Sequence, residues 1–215
     1  MATPAQLVKI ISDVTGVPLP TIVDIDRKLV KGNLRTKGGR GFSAAQMTTL
    51  DAARLLTAVL ASPQANASVE AVERYAKTRV DKARSSGATI LDDLTALPAH
   101  HSFVDGLAAL IASASTGPLA KLLHDSSVPW VPTLEVFAFT RATRGRIRIS
   151  DPRGLIANVE FGPAPTEARP ARGKRPKRSP DARAHESSGD LEQSRRITER
   201  TILPISRLLA AGQAT

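Results

Sequence analysis

The sequence predicts an α+β fold, mainly α, with a small antiparallel β-meander. Hydrophobic residues make up 41% of the chain but aromatics only 3%, so the core must be built from Leu, Ile, Val and Ala, residues that suit helix faces. Apolar positions recur at helical spacing through most of residues 4–125. Strand-like alternation takes over only between residues 133 and 161, where turn signals bound it.

Taken in order, Leu7, Ile10, Ile11 and Val14 form a first helical stripe. Gly16 ends it, and Pro18 cannot continue it. Pro20 suits the first turn of a second helix, which carries Ile22, Ile25, Leu29 and Val30 and stops at Gly32-Asn33. A basic, glycine-rich loop follows over residues 34–42. Thr48 or Thr49 caps a third helix bearing Leu50, Ala53, Leu55, Leu56, Val59 and Leu60, closed by Ser62-Pro63. Val69, Val72, Tyr75, Ala76, Val80 and Ala83 read as one amphipathic helix, and Ile90 to Leu97 as a short one. Ser102 is placed to cap a helix through Phe103, Leu107, Leu110 and Ile111, ended by Thr116-Gly117-Pro118, with a further turn or two over Leu119, Leu122 and Leu123.

Leu134–Thr140 is the first strand of the meander. Phe137 and Phe139 share one of its faces, and in a chain so poor in aromatics they are expected to pack in the core. The alternative for that pair, with Arg141, is a base-stacking strand. Thr143-Arg144-Gly145 reads as a turn, Arg146–Ile149 as a half-buried strand, Asp151-Pro152-Arg153-Gly154 as a hairpin turn, and Leu155–Phe161 as the third strand. Residues 162–190, rich in Pro, Arg, Ser and Gly, are expected to be disordered. Residues 191–215 regain an apolar pattern in Ile197, Ile202, Leu203, Ile205, Leu208 and Leu209. That surface needs cover, from the meander or from a second copy of the chain.

The formal net charge is +10 and the isoelectric point near 10.6. Three runs, residues 27–40, 141–153 and 169–183, hold 18 of the 30 basic residues against 2 of the 20 acids. Positive charge concentrated in this way is the footprint of a polyanion binder. The chain has no cysteine, which excludes a disulfide framework, a cysteine zinc site and a thiol nucleophile. No secretory leader and no membrane-spanning run is recognised, so the cytoplasm is the expected compartment.

The sharpest motif runs from Ile11 to Ile25. Ser12 is a small residue where two helices cross. Gly16 turns the chain at low steric cost, and Val17 supplies a buried apolar residue just after the turn. Ile22 and Ile25 lie about one turn apart on the inner side of the second helix. These residues resemble the helix-turn-helix of prokaryotic and phage transcriptional regulators, in its winged form. The resemblance covers roughly residues 5–62. It implies an N-terminal winged-helix-like DNA-binding domain over residues 1–64, with a second helix that enters a major groove. Thr21, Asp24 and Lys28 would face the bases, and Asp26 would also point outward. Arg27, Lys28 and Lys31 would flank the groove. Arg35, Lys37 and Arg40, set among glycines, would clamp phosphates as the wing. Residues 65–161 then form a helical segment and the meander, and 162–190 a basic linker whose Arg172, Lys174, Arg175, Lys177 and Arg178 add electrostatic affinity.

The expected function is therefore a non-enzymatic, double-stranded-DNA-binding protein of transcriptional-regulator type, with no cofactor, and compatible with a homo-oligomer. An assembly protein resembling a phage small terminase is the alternative, since those join a helix-turn-helix to oligomerising helices and a β-rich end. A metal-dependent phosphohydrolase would draw on His100, His101 and His124-Asp125, but convergent ligands and a later Asp are lacking. The glycine loop has no Gly-Lys-Ser/Thr, so it is not a nucleotide P-loop.

Overall fold

Local capping decides where the helices begin. Thr3, Thr48 and Ser102 each accept a hydrogen bond from the backbone three residues on, and Gln6, Asp51 and Asp105 return it. Each box satisfies amide groups that a helix start leaves unpaired. The computed structural model describes residues 2–38, 45–86, 97–98, 101–123, 131–140, 143–163 and 193–211. Within them are helices α1 (Pro4–Thr15), α2 (Leu19–Lys31), α3 (Thr49–Ala61), α4 (Ser68–Ala76), α5 (Phe103–Thr116), α6 (Pro118–Leu123) and α7 (Glu199–Ala211). The strands are β1 (Thr78–Val80), β2 (Thr133–Phe139), β3 (Arg144–Asp151), β4 (Gly154–Pro163) and β5 (Ser194–Thr198). The α+β expectation holds. Among the described residues no helix is long and apolar enough to cross a membrane.

The five strands form one antiparallel sheet in the order β1-β4-β3-β2-β5. Its centre is the meander read from the alternation. Asp151 closes the β3–β4 hairpin as an acceptor for the amides of Arg153 and Gly154, and Gly154 takes a φ of 139° that favours glycine. The two outer strands correct the sequence reading. Thr78–Val80 is not the end of a helix: α4 stops at Ala76, and the chain pairs with the edge of β4. Thr78 Oγ1 donates to the Tyr75 carbonyl at 2.7 Å and accepts from the Phe103 amide at 3.0 Å, joining the end of α4 to the start of α5. At the other edge β5 pairs with β2, and α7 then turns back to pack on α1 and α5. The C-terminal segment thus finds its cover within its own chain.

The helices α3, α5 and α7 lie against the sheet, and the other helices pack on them or on one another. α3 is central: it packs on α2, α4, α5, β2 and β5, and Ala52, Leu55, Leu56, Ala58 and Leu60 are buried. One buried cluster runs from Leu7 through Leu56, Phe103 and Ile149 to Leu209. It therefore joins residues from the N-terminal, middle and C-terminal segments. The inner residues of the sheet are Leu134, Val136 and Ala138 of β2, Gly145, Ile147 and Ile149 of β3, and Ala157, Val159 and Phe161 of β4.

The core aromatics are Tyr75, Phe103 and Phe161. Phe103 meets each of the others edge-on, with ring centroids 5.2 and 5.5 Å away. Phe137 and Phe139 do not join them. They alternate with the inner residues of β2 and stand on the sheet's other face, where Phe139 is buried beneath Arg144 and Arg146. Gly145, expected in a turn, lies within β3 because Phe103 occupies the space a side chain would take.

Tyr75 also anchors α4 to the β2–β3 connection. Its buried hydroxyl lies 2.9 Å from the Phe139 carbonyl and 2.7 Å from that of Arg144, and it accepts from the Phe139 amide at 3.0 Å. Burial pushes its phenol up to about 12, against the hydrogen bonds. Tyr75→Phe is expected to lower stability by about 1–3 kcal/mol, because backbone groups of Phe139 lose their partner away from water; urea unfolding at neutral pH measures it.

Candidate nucleic-acid interface

α1 and α2 meet across a tight turn whose geometry follows from its residues. Gly16 adopts φ 70°, and its amide donates to the Ser12 carbonyl at 2.9 Å. Ser12 Oγ reaches over the turn to donate to the Val17 carbonyl at 2.7 Å, so this small residue both permits the crossing and ties it. Val17 is packed against the core and Pro18 starts α2. α2 ends on Asn33 at φ 57°, with the Leu34 amide donating to Leu29 and the Asn33 amide to Val30. These paired bonds form a Schellman closure, with Asn33 rather than Gly32 in the left-handed position.

One side of α2 is buried through Ile22, Ile25, Asp26 and Leu29. The other side presents Thr21, Asp24, Arg27, Lys28 and Lys31 at a spacing that keeps them on one stripe. Thr21, Arg27 and Lys31 are exposed. Lys28 Nζ lies 2.6 Å from Asp24 Oδ2, so Asp24 is spent on a neighbour one turn away. Lys28 and Lys31 also sit in the last turn, where the helix dipole favours cations.

Two residues of the motif are placed otherwise than expected. Asp26 does not point outward; it is buried at the root of α2. Arg35 is not a phosphate clamp: its Nε lies 2.6 Å from Asp26 Oδ1 and its Nη2 donates to Oδ2 at 2.9 Å. Both side chains are about nine-tenths buried, at 10% and 11% exposure. Its Nη1 donates to the Thr36 carbonyl. Burial pushes the Asp26 carboxyl above the usual carboxylate range, opposed by the Arg35 guanidinium.

A second carboxylate fixes the same loop. Asp51 accepts from the amide and hydroxyl of Thr36 at 2.8 and 2.9 Å, and from those of Thr48 at 3.0 and 2.8 Å. Burial alone would raise its pKa, yet these bonds hold it below the usual range. Lys37 is exposed and donates to Asn33 Oδ1, which keeps it by the end of α2. No strand forms between α2 and α3 among the described residues. Arg40, and the tail residues Arg172, Lys174, Arg175, Lys177 and Arg178, lie outside the described residues, as do His100 and His124. His101 Nδ1 is 3.0 Å from the Pro98 carbonyl, and its ring packs on Phe161.

Behind the turn is a cavity of about 430 Å³, lined by Val17, Thr21 and Ile25 on one side and by Ser62, Arg195 and Thr201 on the other. Arg195, which the sequence reading passed over, donates through Nη1 to the carbonyls of Val59 and Ser62 at 2.7 and 2.8 Å. It thereby caps the end of α3 from the distant strand β5. No local pattern signals that role, since its partners lie more than a hundred residues away in sequence. No protein-family model, no curated protein and no solved structure matches the chain.

Proposed function

We propose that the protein is a non-enzymatic DNA-binding protein of transcriptional-regulator type, in which α1, the Gly16 turn and α2 act as a helix-turn-helix on duplex DNA. The observation that carries this reading is the division of α2. Its inner stripe is buried, while Thr21, Arg27, Lys28 and Lys31 stand together on the outer one, beside a turn held rigid by Ser12 and Gly16. Arg27 and Lys31 suit phosphates on either side of a groove. Thr21 and the Asp24–Lys28 pair are the groups left to meet base edges.

Winged-helix likeness is part of the same proposal, with altered parts. The segment after α2, which holds no strand among its described residues, supplies a backbone-contacting arm. Arg35 and Asp51 anchor its root, and Lys37 is its exposed cation. Arg40 extends that basic run in sequence.

The test is duplex binding by fluorescence anisotropy across a salt series, using fragments the protein retains from genomic DNA. Arg27→Ala with Lys31→Ala is expected to reduce the slope of log affinity against log salt by about 2, one for each phosphate no longer neutralised. An unchanged slope and affinity would remove α2 from the interface. Arg35→Lys is expected to act on stability rather than on that slope.

A further inference from the structure

The second basic surface is the face of the sheet turned away from the helices. Register places its residues in rows across the strands. Glu160, Arg146, Phe137 and Arg196 follow one another on β4, β3, β2 and β5, each directly opposite the next. The adjoining row holds Asn158, Arg148, Glu135 and Thr198. On the other side Arg144 faces Phe139, and Arg79 faces Gly162. A Cβ at Gly162 would meet no described residue within 4 Å.

Five arginines thus occupy outward register positions, against Glu135 and Glu160. Both carboxylates are already paired. Glu160 lies under Arg146, and Glu135 accepts from Arg196 at 2.6 Å. Among the described residues the face keeps a net positive charge, with Arg148 exposed and without an ion-pair partner there. Arg144 lies over the ring of Phe139, with its guanidinium carbon 5.0 Å from the centroid. Phe137 remains partly exposed between two arginines.

We propose that this face binds single-stranded nucleic acid, with a base stacked on Phe137 and the phosphates held by Arg148, Arg144 and Arg196. Charge alone would suit any polyanion. The partly exposed aromatic ring, in register with an arginine on each neighbouring strand, is what favours unpaired bases, because stacking needs a flat π surface that a duplex does not offer to a sheet. An acidic protein segment would use the arginines but gain little from the ring. The proposal stands apart from the α2 interface, since it uses none of that interface's residues.

The experiment uses the full chain and fluorescein-labelled oligothymidylate and oligouridylate of roughly twelve nucleotides, within the span one such domain covers. Phe137→Leu keeps an apolar side chain but loses the π face. It is expected to weaken binding about tenfold, the scale of one base stack, with an unchanged circular dichroism spectrum and melting midpoint. Arg148→Ala is expected to weaken it by a smaller factor and to flatten its salt dependence. Arg27→Ala with Lys31→Ala is expected to leave single-strand affinity unchanged. The proposal is overturned if the parent protein does not retain either oligonucleotide, or if Phe137→Leu binds both as the parent does. It also falls if polyglutamate displaces the oligonucleotides as readily as unlabelled single strands do, which would mark an acidic partner. Loss of single-strand binding in the α2 variant alone would move that ligand to α2. Failure of duplex binding with retention of single strands would remove only the helix-turn-helix reading.

Discussion

Asp26→Ala is expected to lower the unfolding free energy by about 3–5 kcal/mol, the cost of stranding one partner of a buried ion pair. The Arg35 guanidinium would stay enclosed beneath α2 with its hydrogen bond and its ion-pair contact to the carboxylate gone. Water cannot easily replace them, because Arg35 is only 10% exposed. Chemical unfolding at neutral pH gives the value directly. Asp26→Leu combined with Arg35→Met should recover most of the loss, since an apolar pair of similar bulk has no charge to strand. If the single variant unfolds within about 1 kcal/mol of the parent, the pair behaves like a solvated surface bridge, and the anchoring of the loop is misassigned. The result matters for function because Arg35 fixes the root of the segment that carries Lys37.

Gly145→Ala is the second large effect. A methyl group built there would lie 2.2 Å from Phe103 Cδ2 and within 3 Å of two further ring atoms. Phe103 cannot swing aside, because its ring is fully buried and wedged between Tyr75 and Phe161. Overpacking of this kind costs about 3 kcal/mol, at the upper end for an added methyl, and shows as a lower thermal midpoint. Phe103→Leu should offset part of it, so that the double variant is more stable than the sum of the singles implies. A Gly145→Ala protein as stable as the parent would mean that β3 and α5 do not approach as closely as described.

Legibility in the sequence follows the range of the interaction. Thr48 and Ser102 could be read as caps because a cap acts over three residues, whereas the cap at Thr3 emerged only with the structure. Gly16 could be read as a turn because its backbone freedom is its own property. The Asp151–Gly154 hairpin was legible for the same reason. Thr78–Val80 was not. Its spacing continues the stripe of α4, and only the vacant edge of β4 makes it a strand. The C-terminal segment 191–215 was legible as apolar and in need of cover, but nothing local says that Ser194–Thr198 would pair with β2.

The candidate interface divides in the same way. The spacing of Thr21, Asp24, Arg27, Lys28 and Lys31 places them on one stripe, and the exposure of Thr21, Arg27 and Lys31 agrees with it. Asp26 and Arg35 looked like surface charges, because a charged residue is usually solvated; each is buried because the other is there. Phe137 and Phe139 looked like core, because aromatic residues usually are. Alternation alone offers two faces of β2 and cannot say which one the helices cover.

The sequence by itself determined the helix starts, the Gly16 turn, the hairpin and the basic stripe of α2, since each depends on residues within a few positions of one another. Tertiary structure alone decided the edge strands, the partner of Arg35, the room for Phe103 at Gly145 and the outward turn of Phe137. Those outcomes rest on contacts between distant segments, and a side chain's surroundings there depend on the packing of the whole chain.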